Sequence, residues 1–190
     1  NRERISAMSI TITIVTTANR SRRFTQSDPA RVSEILDSLK RCTQLFSNRS
    51  LIVVSDDSTE IFCPAAITRI EIETDTDLTP YLPPGRNTNI RALGLDEAPP
   101  PIGLDNRTIP IPADFFFEGG DSLNTWLSGP RPADATKRTM RITRLFEQPV
   151  VFYQPITPGI GLMNPAVMTR STFGAALTEA PTAAWHVKNA

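Results

Sequence analysis

The chain has 190 residues, with 20 Lys+Arg against 20 Asp+Glu and a single histidine. At 39% hydrophobic and 21% charged residues it is neither a charge-rich disordered polymer nor a bundle of spanning helices. Its longest aliphatic run, Leu51-Ile52-Val53-Val54, falls far short of the ~20 residues that a spanning helix needs. Zero formal net charge removes the whole-molecule field that draws a protein to nucleic acid or anionic lipid, so neither a membrane nor a polyanion is the expected first partner.

The amino end, Asn1-Arg2-Glu3-Arg4, is polar, and residues 10–15 alternate instead of forming a continuous apolar stretch. No export signal is read there, and a soluble, cytoplasmic protein is expected, with Met8 a candidate start. Cys42 and Cys63 are both read as small buried apolar residues, a bond between them being the alternative.

From residue 9 to 17, Ile10, Ile12 and Ile14 alternate with Thr11, Thr13 and Val15, which predicts a strand with one aliphatic face. Residues 19–23 read as a polar, arginine-rich connection. Asp28 is a candidate N-cap and Pro29 suits the first helical turn. Val32, Ile35, Leu36, Leu39, Cys42 and Phe46 then recur at three- and four-residue steps, the stripe of an amphipathic helix. Residues 51–54 and 59–63 form a predicted hairpin about the turn Asp56-Asp57-Ser58. After Pro64, Ile70 and Ile72 alternate with Arg69, Glu71 and Glu73, a further strand with one wet face.

Beyond Thr74 the composition shifts. Prolines at 80, 83, 84, 99, 100, 101, 110 and 112 exclude regular helices and central strands, so an ordered connection or a wrapping arm is expected. Regular structure is predicted to resume near Phe115. A short helix is expected at 121–127, strands at 139–145 and 150–153, a helix starting at Asn164-Pro165, and a closing strand at 185–187. No internal repeat is visible. The expected fold is α+β, a mostly antiparallel sheet with one amphipathic helix and a β-α-β-β-β start, followed by a loop-rich mixed second half. Its expected divisions are a module at 9–74, a proline-rich connection at 75–114 and a second half at 115–190.

Chemistry-bearing constellations are sparse. Two cysteines and His186 fall short of a tetrahedral zinc set. Carboxylate pairs at Asp56 and Asp57, or Asp75 and Asp77, read better as turn formers than as metal ligands. No phosphate-binding glycine loop is present, and no cofactor is expected. Gly120-Asp121-Ser122-Leu123 resembles the nucleophile block of GDSL-type esterases. That resemblance implies Ser122 as nucleophile and His186 as its base, because a serine hydroxyl needs an oriented histidine to take its proton. Ala183 stands where that family keeps an aspartate, three residues before the histidine.

Two basic groups, Arg20, Arg22 and Arg23, and Lys137, Arg138, Arg141 and Arg144, are candidates for a polyanion. Pro80-Tyr81-Leu82-Pro83-Pro84-Gly85-Arg86 contains the P-x-x-P spacing of an extended ligand for an aromatic groove, although a surface loop stiffened by proline is the favoured reading. The favoured expectation is a non-catalytic interaction or assembly module that binds a protein partner or itself. Its surface candidates are Tyr81, Leu82, Arg86, Arg20, Arg22 and Arg23, and the strand at 9–17 is the expected docking edge. A small serine hydrolase and a polyanion binder are the alternatives.

Overall fold

A computed structural model describes residues 8–86, 90–100, 108–130, 144–174 and 182–190. The alternating isoleucines form β1 (Ile10–Thr16), with Ile10 and Ile14 buried. The chain turns at Asn19, whose φ of 53° suits asparagine's tolerance of the left-handed region, and returns as β2 (Ser21–Gln26). The predicted polar connection is therefore largely a strand. Its composition carries no apolar face, and β1 supplies the order by pairing Ile12 with Phe24 and Ile14 with Arg22.

Helix α1 (Pro29–Ser38) starts where its signals stand: the Arg31 amide donates to the Asp28 carboxylate at 3.0 Å, and Pro29 opens the first turn. The apolar stripe continues past residue 38 as a 3-10 helix over Leu39–Ser47, which keeps Leu39, Cys42 and Phe46 on the core. β3 (Leu51–Val54) and β4 (Thr59–Phe62) make the expected hairpin. A 3-10 turn at Pro64–Ala66 then leads into β5 (Ile67–Glu73), which pairs with β1.

The proline-rich connection is anchored. Leu78 and Leu82 are buried in the first core, flanking a 3-10 turn at Thr79–Tyr81, and β6 (Ile90–Ala92) joins a sheet. β7 (Thr108–Phe117) begins earlier than expected and contains Pro110 and Pro112. The Pro112 carbonyl accepts from Gly174 on the side facing β11 (Met168–Phe173), so the N–H that proline lacks would also point to that side. Among the described residues β11 pairs with β7 only as far as Ala113, so both prolines fall at or beyond its end. The predicted helix at 121–127 is instead β8 (Ser122–Pro130), paired along β7. Gly119, at φ 84°, makes the turn between them, and a Cβ there would lie 1.4 Å from the Thr17 carbonyl oxygen.

β9 (Val151–Tyr153) pairs with β10 (Gly159–Met163), while residues 139–143 of its predicted partner lie outside the described residues. Asn164 does cap, accepting from the Ala166 amide at 3.1 Å, but only a 3-10 turn at Pro165–Val167 follows before β11 takes over. The stretch at 185–187 is coil, with Trp185 and Val187 exposed.

The fold is α+β. Its sheets run β2-β1-β5-β10-β9, β11-β7-β8-β6 and β3-β4. It also contains a duplication that sequence reading misses. β1, β2 and β5 reappear as β7, β8 and β11 with every residue number larger by 101: Ile14 opposite Ile70 becomes Phe115 opposite Ser171, and Ile12 opposite Phe24 becomes Ala113 opposite Thr125. The hairpin β3–β4 reappears as β9–β10, with Ile52 opposite Ile61 becoming Phe152 opposite Leu162. Little sequence survives beyond Pro64-Ala65-Ala66-Ile67-Thr68-Arg69 and Pro165-Ala166-Val167-Met168-Thr169-Arg170. Of the stretch corresponding to α1, all but its first position lies outside the described residues.

The halves join through β10, which adds to β5 with Leu162 opposite Ile70 and Ile160 opposite Ile72. Phe152, Ile160 and Leu162 thereby enter the first core with Ile10, Ile14 and Leu36. Val151, Tyr153 and Met163, on the other face of the same hairpin, belong to the second core with Phe115 and Phe117.

Candidate functional site

Alternation along a strand sends successive side chains to opposite faces. In β3–β4, Leu51, Val53 and Phe62 pack on the first core, and Ile52, Val54 and Ile61 face away. These last three are 58%, 74% and 70% exposed. Nothing in the polar turn at Asp56-Asp57 requires this, and a hairpin with a wet outer face ordinarily carries polar residues there. The hairpin is held to its own module from below. Arg22 on β2 forms an ion pair with Glu60 at 2.6 Å, and the Phe24 and Phe62 rings meet edge to face at 6.5 Å.

The corresponding face of β9–β10 is buried: Phe152 is 8% and Leu162 0% exposed. The difference lies in the neighbours: β10 has β5 beside it, whereas among the described residues β4 pairs with β3 alone. Conversely, β11, the counterpart of β5, pairs among the described residues only with β7. The described residues thus present both halves of a junction that is made once internally: an apolar hairpin face with a strand free on one side, and a free strand edge to receive it.

The completed junction contains a polar joint. Arg69 on β5 donates through Nε to the Asp121 carboxylate at 2.9 Å and through Nη1 to Glu71 at 2.8 Å. The Tyr153 hydroxyl donates to the same Glu71 oxygen at 2.6 Å. Burial pulls the Arg69 guanidinium down, but Tyr153 and Asp121 outweigh it and hold the group above its ordinary value. Burial raises Tyr153 well above the usual phenol range, the Glu71 charge adds to this, and Arg69 opposes it. Asn164 completes the seam: its amide nitrogen donates to the Ile67 carbonyl at 3.0 Å and its backbone N–H to Thr68 at 2.9 Å.

The residues singled out from sequence are dispersed. Arg22 is tied to Glu60 and lies over the Phe24 ring, Arg23 reaches Glu73 at 3.5 Å, and Arg20 is exposed in the turn. Tyr81 is half-buried beside Lys40, and Leu82 is buried in the first core, so Leu82 is packing, not surface. Pro80 sits in a 3-10 turn, just before which Asp77 accepts from the Thr79 amide at 3.0 Å, so Thr79–Tyr81 is not in the extended form that a P-x-x-P ligand takes. Arg86 is half-buried, with Nε lacking a hydrogen-bond partner.

Ser122 is exposed at the start of β8 opposite Phe116, the neighbouring Asp121 is taken up by Arg69, and His186 is exposed in the terminal coil. Among the described residues no hydrogen bond joins Ser122 to His186. Cys42 is buried as expected, Cys63 is exposed, and both are free thiols. Arg144 lies 4.0 Å from Glu147, and Lys137, Arg138 and Arg141 lie outside the described residues. The strand at 9–17 is no docking edge, because β1 is paired on both sides by β2 and β5.

Among the described residues no helix is long and apolar enough to cross a membrane, and no three His, Cys, Asp or Glu side chains form a group able to hold a metal. Ile52, Val54 and Ile61 escape the sequence reading, although the wholly apolar run at 51–54 is itself a sign of a hairpin with two apolar faces. Comparison with protein-family models, curated proteins and solved structures finds no match.

Proposed function

We propose that the protein is an interaction module whose working surface is the outer face of β3–β4. The observation that carries this reading is the exposure of Ile52, Val54 and Ile61 on one side of one hairpin, where the counterparts of Ile52 and Ile61 in β9–β10, Phe152 and Leu162, are core. Clustered large aliphatics on a regular, held strand pair are the kind of surface that another protein covers. The polyanion reading draws less support, since Arg22 and Arg23 already face Glu60 and Glu73.

The test compares the immobilised chain with an Ile52→Lys/Ile61→Lys variant against an extract of the native host. The expected result is a protein, identified by mass spectrometry, retained near stoichiometrically by the wild type and lost from the variant. Equal retention by both, or none by either, removes the reading.

A further inference from the structure

The free hairpin and the free edge are complementary by the molecule's own example. Resting on the interaction reading above, we propose that the partner is a second copy of this chain, with β4 of one copy adding antiparallel to β11 of the next as β10 adds to β5. The internal junction sets the register. Leu162 opposite Ile70 and Ile160 opposite Ile72 translate, by the 101-residue correspondence, into Ile61 opposite Ser171 and Thr59 opposite Phe173.

The backbone of β11 is oriented for this. The Gly174 N–H donates to Pro112 of β7 at 2.8 Å. Alternation then directs the Thr172 N–H to β7 and the Ser171 and Phe173 N–H groups to the open side. The internal junction has the same phase: Asn164 and Thr74 donate to Thr68 and Pro158 at its two ends, which makes Leu162 and Ile70 a hydrogen-bonded pair. Ser171 and Ile61 would inherit that pairing. Ile52 and Ile61 would take the buried places that Phe152 and Leu162 hold in the internal junction. Cys63, exposed in the single chain, would take the place of Asn164, which is buried at the seam.

Two different surfaces meet in such a contact, so it closes into a ring or a reciprocal pair, or extends, according to the rotation between copies. Reciprocal mixing tests it. Ile61→Arg charges the hairpin face, and Ser171→Pro deletes an outward-facing donor while leaving the N–H groups that face β7. Sedimentation velocity on the purified full chain should show a mass that rises with concentration to at least twice that of one chain. Each variant alone should stay at one chain mass with an unchanged thermal transition, and their equimolar mixture should recover a two-chain species through its one intact junction. Alkylation of Cys63 should slow in proportion to the wild-type fraction assembled.

A wild type that remains a single chain up to millimolar concentration overturns the proposal, as does a mixture that stays monomeric. If the extract experiment still yields a different protein lost from the double-lysine variant, the interaction reading stands and only the self-partner fails.

Discussion

At the scale of single residues, the joint between the halves is the most sensitive point. Tyr153 keeps its proton in the folded chain beyond the pH at which an unfolded tyrosine, at about 10, loses it. Above that pH the unfolded chain binds fewer protons than the native one, so stability falls as pH rises, by up to about 1.4 kcal/mol per pH unit from this group. Urea titrations of wild type and Tyr153→Phe between neutral and alkaline pH should show the steeper alkaline loss only in the wild type. Arg69 answers two carboxylates and is itself largely buried. Arg69→Met strands them and should cost about 3 kcal/mol or more by the same measurement. Gly161 lies beneath the Tyr153 ring, where a Cβ would come within 2.2 Å of it. Gly161→Ala must displace the ring and break its bond to Glu71, a cost on the order of 1–3 kcal/mol visible in the thermal midpoint.

At the scale of elements, identical register with different burial separates what a sequence reveals from what it withholds. Leu162→Ala empties a fully buried site and should lose roughly 2–5 kcal/mol, whereas Ile61→Ala, at the matching position of the free hairpin, should change single-chain stability by about 0.5 kcal/mol or less. Equal losses in dilute denaturant titrations would mean that the β3–β4 face is already covered. The strands with β-branched alternation, β1 and β5, and the capped start of α1 are legible because local chemistry determines them. β2 is not, because its order comes from β1. Nor is β7 through Pro110 and Pro112, whose place in a strand is set by the pairing of β7 with β8 and not by local chemistry. The Asn164-Pro165 signal marks a true cap but no α-helix: the next residues are claimed by a ladder to β7. The candidate site suffers most, since the apolar run at 51–54 announces a strand but not which of its faces lacks a neighbour.

At the scale of the whole molecule, the duplication escapes notice because it survives in register and hardly in letters, while its one shared block, Pro-Ala-x-x-Thr-Arg, is short enough to pass as chance. Its halves are not independent. The first sheet obtains two of its five strands from the second half, and with them Phe152, Ile160 and Leu162 of the first core. At about 1.5–3 kcal/mol for each large apolar side chain buried, those three contribute roughly 5–9 kcal/mol, which is comparable with the entire net stability of an ordinary domain. A fragment ending at residue 100 keeps β1, β2, α1 and β5 but leaves the β5 edge and its Ile70 and Ile72 uncovered. It should therefore show no cooperative thermal transition as a monomer and little amide protection in β5, in contrast to the full chain under the same conditions. A fragment that melts cooperatively as a single chain would show that the β10–β5 seam contributes far less than its buried side chains imply, and the same reduction would then apply to a seam between copies built on its pattern.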